Sequence, residues 1–120
     1  MSNLSRELAE RVFDAYVDRH ARNDLEGVLA LFAEDARVED PVGAPPHEGR
    51  AAIEAFYAGT HARNGTMRIE RVGALLVGGG ELAAHVRAEL DAEGSPPAMD
   101  VIYVMRVGED ERIRSLRAWY

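Results

Sequence analysis

The spacing at which apolar residues recur changes once along this chain, from three and four to two near Met67, and that change restricts the fold more than any other feature. Leu8, Val12, Phe13, Tyr16 and Val17 mark one face of a helix between Ser5 and Ala21, with Tyr16 on that face. Asp24 suits a helix cap, and Leu25, Val28, Leu29, Leu31 and Phe32 predict a second helix that ends near Glu34. Ala36, Val38 and Asp40 then alternate with charged neighbours as in a short strand, which Pro41 ends by removing a backbone donor; 41–49 reads as a loop. A third helix is predicted from Arg50 to about Thr60, with Ile53, Phe56 and Tyr57 turned inward.

Beyond Met67 the pattern is that of antiparallel strands, with Gly78-Gly79-Gly80 and Gly94-Ser95-Pro96-Pro97 as hairpin turns. Leu82 to Leu90 has the Ala and Leu content of a helix, but Leu82, Ala84, Val86, Ala88 and Leu90 alternate, and the segment is read as a strand. Met99 to Val107 is nearly continuous in apolar residues, which predicts a central strand covered on both faces, and Ile113 to Tyr120 supplies the last strand. Helices first and strands later imply an α+β domain spanning 1–120, with three N-terminal helices packed on a curved, mainly antiparallel sheet that leaves a pocket. A chain of 120 residues is long enough for a real core, since a domain of that size removes roughly two-thirds of its unfolded surface from water.

The basic residues are scattered and the formal net charge is −7, so no stripe exists that could neutralise phosphates or hold an anionic membrane. Neither nucleic acid nor a membrane surface is expected as a partner. The chain has no cysteine, which excludes disulfides and thiolate metal sites and makes the cytoplasm the default compartment. Met1 to Phe13 lacks the continuous apolar core of a leader peptide, and no stretch is long enough to span a bilayer. His20, His47, His61 and His85 lack the paired spacing of a zinc site, and the glycine run at 78–80 lacks the Lys and helix of a phosphate loop. Neither a metal nor a nucleotide cofactor is expected.

Asp100 is the most informative polar residue, because Ala98-Met99-Asp100-Val101-Ile102-Tyr103-Val104-Met105 is otherwise apolar or aromatic. An ionised carboxylate buried there is costly, so Asp100 is paired with a cation, exposed to water, or protonated and able to donate a hydrogen bond. Asp40, before Pro41, taken alone fits ordinary turn chemistry. Tyr16 and Tyr57, on apolar helix faces, taken alone read first as core tyrosines with satisfied hydroxyls.

Together, Tyr16, Val38-Glu39-Asp40-Pro41-Val42-Gly43, Pro45-Pro46, Gly49-Arg50, Ala55-Phe56-Tyr57 and Met99-Asp100-Val101-Ile102 resemble the ketosteroid isomerase family in order and spacing, from about Leu8 to the last residue. That resemblance implies the nuclear-transport-factor-2-like (SnoaL-like) cone fold, an apolar pocket, and a cofactor-free steroid Δ-isomerase working as a homodimer. In this reading Asp40 moves a proton from C4 to C6 of a 3-oxo-Δ5 steroid, and Tyr16 and a protonated Asp100 donate to the C3 oxygen of the dienolate. Tyr57 orients the Tyr16 hydroxyl, and Phe13, Phe56, Val101 and Leu116 are candidate pocket walls. Phe32 stands where some relatives have a further Tyr, which would end the hydrogen-bond chain at Tyr57. Trp119-Tyr120 reverses the Tyr-Trp order of some relatives and removes support for an indole hydrogen bond to the base. Arg19 and His20, on a stretch apolar in some relatives, either narrow the pocket mouth or face solvent. The same fold also hosts polyketide-cyclase-like enzymes, other small lyases and non-catalytic modules that bind apolar ligands or dimerise.

Overall fold

The computed structural model describes residues 4–120; Met1–Asn3, where the segment tested for a leader begins, lie outside the described residues. Helix α1 spans Arg6–Ala21, and the Ser5 hydroxyl caps it by accepting from the Leu8 amide at 3.0 Å. Its buried face carries Ala9, Val12, Phe13, Tyr16 and His20. Helix α2 spans only Leu25–Leu29 behind its cap Asp24, and strand β1 takes over at Phe32–Glu39. The helix predicted to Glu34 therefore stops early. Leu31 and Phe32 fit a helical period locally, but the Ile113 amide reaches back to the Leu31 carbonyl at 2.8 Å and draws the segment into the sheet. A contact across so many residues of chain leaves no mark on local spacing.

Strand β2 (His47–Glu48) pairs with β1, and helix α3 (Arg50–Asn64) follows it. Gly49 holds φ at 85° at the entry to α3, a left-handed conformation that disfavours any side chain. The Arg50 guanidinium donates to the carbonyls of Leu29 and Phe32 at 3.2 and 3.0 Å, which ties the start of α3 to the α2–β1 junction. The helix runs a turn past Thr60 because His61 adds a further inward position.

Strands β3 (Met67–Arg71), β4 (Leu76–Gly78), β5 (Glu81–Leu90), β6 (Met99–Val107) and β7 (Ile113–Trp119) complete one sheet in the order β2-β1-β7-β6-β5-β3, with β4 also on β5. Only β1 and β7 run parallel; every other pair of strands is antiparallel. Helix α1 packs over β3 and β4, and α3 over β1 and β2, so the helices and the core lie on one face of an open, curved sheet. The α+β expectation and the strand reading of Leu82 to Leu90 both hold.

Strand β6 departs from expectation. Val101, Tyr103, Met105 and Val107 are buried, while Asp100, Ile102 and Arg106 face out, so this strand is covered on its inner face alone. Its outer positions carry Ile102 and Val104, and these hide the alternation from a reading by polarity. No helix among the described residues is long and apolar enough to cross a membrane.

Candidate active site

A cavity of about 290 Å³ lies between α3 and the inward residues of β3, β5 and β6. Asp40, Tyr16, Tyr57, Tyr103 and Tyr120 supply most of its polar wall. Each arrives by a separate route. Tyr16 and Tyr57 come from the buried faces of α1 and α3, and their hydroxyl oxygens lie 3.2 Å apart. Tyr103 points inward from β6 and meets the Tyr16 ring edge to face, with centroids 5.4 Å apart.

Asp40 directly follows β1, and Tyr120 directly follows β7. Because these strands run parallel, with Val38 opposite Leu116 and Glu39 opposite Arg117, both residues emerge at the same edge of the cavity. The Tyr120 hydroxyl donates to Oδ1 of Asp40 at 2.7 Å.

Burial pushes the Asp40 carboxyl above the ordinary carboxylate range, while the Tyr120 hydrogen bond and nearby His47 pull the other way. Burial also raises the phenols. Tyr16 and Tyr57 are pushed well above ordinary phenols by burial, with the Asp40 charge adding to it, and Tyr103 is raised for the same two reasons. At neutral pH the wall thus holds one carboxylate of raised basicity opposite three protonated phenols. That set can take a proton from carbon and donate hydrogen bonds to an oxygen that gains charge.

Asp100 is not part of this wall. It lies on the outer face of β6 with its side chain 61% exposed, 2.9 Å from His85 Nε2 and 3.2 Å from Arg87 Nη1. The hydrogen bond from His85, then the Arg87 charge, hold its carboxyl below the ordinary range, so the neutral-acid role expected of Asp100 is overturned. The strand's two-residue alternation is the cause: with Val101 and Tyr103 turned inward, Asp100 must face out. Tyr103, in sequence one more aromatic in an apolar run, holds the inward position.

Phe56 and Val101 line the cavity. Phe13 and Leu116 do not; both are fully buried in the core behind it. Phe32 packs its ring on Tyr57 and offers no hydroxyl. Trp119 faces outward beneath the Arg117 guanidinium, and Tyr120 makes the contact to Asp40 that its indole does not.

Arg19 is half-buried and folds back onto the Ala15 carbonyl. His20 neither faces solvent nor narrows a mouth. It is buried against Tyr16, with ring centroids 4.4 Å apart, and its Nδ1 lies 3.0 Å from Nε2 of His61 on α3. Burial, and then His61, lower the His20 pKa to about 3, and burial lowers that of His61. Among the described residues the other nitrogens of both rings are buried without a partner, so in either tautomer one N–H goes unsatisfied there. A helical period that places His20 four residues after Tyr16 was the available signal for this pair.

Residues 13–116 match the SnoaL-like domain, and the chain belongs to that family. Over 88% of its length it is 35% identical to the Steroid Delta-isomerase of Nocardioides simplex, of which it covers 83%. It is also 37% identical over 114 residues to the Epoxide hydrolase LasB of Streptomyces lasalocidi, a protein of which it covers 38%.

Proposed function

We propose that this protein is a steroid Δ-isomerase that converts a 3-oxo-Δ5 steroid into the conjugated 3-oxo-Δ4 isomer. The observation that carries the reading is the half-buried Asp40 carboxylate, of raised basicity, facing a cluster of buried phenols across one cavity. Asp40 takes the C4 proton, the electron pair moves into the dienolate, and the same carboxyl returns the proton to C6 as the double bond settles between C4 and C5. Tyr16 and Tyr103 donate to the C3 oxygen as its charge develops, Tyr57 orients the Tyr16 hydroxyl, and Tyr120 holds Asp40. The likeness to a Steroid Delta-isomerase over most of both chains supports this choice.

The reading includes a homodimer, for which the exposed Ile102 and Trp119 on the outer sheet face are the supporting observation, and a cytoplasmic location, which suits a chain without cysteine.

Purified protein should produce enone absorbance from 5-androstene-3,17-dione. Asp40→Asn should lower turnover by about 10²- to 10⁴-fold while steroid binding persists, because an amide cannot accept the C4 proton. No enone at micromolar wild-type enzyme, or near-normal turnover of the variant, would reject the isomerase mechanism.

The likeness to an Epoxide hydrolase favours a second reading of the same wall, in which a phenol donates to an epoxide oxygen while Asp40 takes a proton from the attacking water. Epoxide opening without steroid isomerisation would select it.

A further inference from the structure

The polar groups of the cavity divide between its two ends. Tyr16, Tyr57, Tyr103 and Asp40 gather at one. Strand β6 leaves that end through Tyr103, Val101 and Met99, and α3 leaves it through Tyr57, Thr60 and Asn64. From Tyr57 to Asn64 the helix rises by about 10 Å, enough for a fused four-ring skeleton laid between the apolar side chains of Met67, Leu90 and Met99. Thr60, Arg63 and Asn64 provide the polarity at the far end.

Arg63 stands apart from the other cations. The chain's 14 basic side chains are all arginine, in a protein of net charge −7, and most of them lie within 4 Å of a carboxylate. Arg6 and Arg19 donate instead to backbone carbonyls. Among the described residues, the exposed side chains of Arg63 and Arg112 have neither kind of partner, and of these two Arg63 borders the cavity. Gly59, one turn earlier, gives its guanidinium room to lie along α3, since a Cβ there would stand 3.1 Å from Nη1. A planar cation at an apolar cavity's mouth matches a carboxylate, which it can hold through two parallel hydrogen bonds.

We propose that the substrate carries a carboxylate at the end remote from its reacting carbonyl, and that Arg63, flanked by Thr60 and Asn64, binds it. The inference rests on the steroid reading for the ring system between the two ends. The acidic charge of the whole protein repels such a ligand at long range, so its recognition falls to this one local cation.

The test compares two steroids with the same A and B rings: 5-androstene-3,17-dione, and 3-oxo-androst-5-ene with a 17β-carboxylate. Wild-type kcat/KM should favour the carboxylate about tenfold, the scale of a charge-assisted hydrogen bond, and the preference should shrink with added salt. In Arg63→Gln the ratio should fall to near one. Calorimetric titration with the two conjugated Δ4 products gives a readout that does not need turnover. Tighter carboxylate binding that Arg63→Gln removes upholds the subsite even if neither Δ5 steroid reacts, a result that would reject the isomerase reading alone. Equal affinity of the two products for wild type, or a preference that survives in Arg63→Gln, overturns the subsite whatever the rates show.

Discussion

Tyr103 and Asp100 lie three residues apart on one strand and face opposite sides of the sheet, so their substitutions separate two accounts of the oxyanion donors. Tyr103→Phe keeps the buried ring and removes one donor, and should lower turnover by about 10²- to 10³-fold. Asp100→Asn alters an exposed pair and should leave turnover within about twofold of wild type. Steady-state rates on one steroid check both, and a large loss in Asp100→Asn with a normal Tyr103→Phe would reverse the assignment. Tyr120 acts on the proposed base: its hydrogen bond lowers an Asp40 pKa that burial raises. Tyr120→Phe should therefore shift the acidic limb of the kcat/KM profile to higher pH, and an unmoved limb would show that the contact does not tune the base. For stability the sign is opposite to that of a salt-bridged acid. Asp40 stabilises the fold fully below its unfolded value of 3.8, and that contribution declines as pH rises towards the folded one.

The helices α1 and α3 meet through the buried His20–His61 contact, and this contact sets how their packing responds to acid. His20 takes up a proton near pH 6.5 when unfolded and near pH 3 when folded. Between those values the unfolded chain binds more protons, so the stability contributed by the neutral ring is complete above pH 6.5 and is lost as pH falls. The loss from His20 should be about 2 kcal/mol by pH 5, at 1.36 kcal/mol per pH unit below 6.5, and His61 adds in the same direction. Chemical denaturation at pH 7 and pH 5 checks this, with His20→Leu expected to flatten the dependence. An equal loss in that variant would place the acid sensitivity elsewhere. Because His20 packs on Tyr16, the two helices that the pair joins are also those that hold the Tyr16–Tyr57 hydroxyl contact.

Seen whole, the described residues cover one face of the sheet with helices and place no helix on the other. Ile102 and Trp119 stand 39% and 37% exposed there, opposite each other across the β6–β7 pair. Scattered apolar exposure is ordinary, but these two are cross-strand neighbours on a central pair, a placement that suits contact with a second copy. Ile102→Asp combined with Trp119→Asp should turn the proposed dimer into a monomer in light scattering at micromolar concentration. A wild type that is already monomeric would remove the dimer from the reading. The candidate cavity lies on the helical side, so turnover by the monomeric variant measures how far pairing supports the proposed catalytic wall.

Local pattern by itself determined the class of this fold and two residues of its candidate site. The apolar faces of α1 and α3 place Tyr16 and Tyr57 inward, and the turn at Asp40-Pro41 ends β1, because helical and strand periods are short-range properties written in neighbouring residues. It also identified Asp100 as anomalous and allowed a cation as its partner, which Arg87 supplies from β5. Tertiary structure decided the rest. A nearly unbroken apolar run does not disclose which alternate residues of β6 face inward; the pairing with β5 and β7 settles that, and with it the exchange of Asp100 for Tyr103. The Asp40–Tyr120 bond depends on the parallel pairing of β1 with β7, strands 80 residues apart at that contact. The helix expected through Glu34 gave way to β1 for the same physical reason. Backbone pairing between distant segments overrides local periodicity, and only the folded chain brings those segments together.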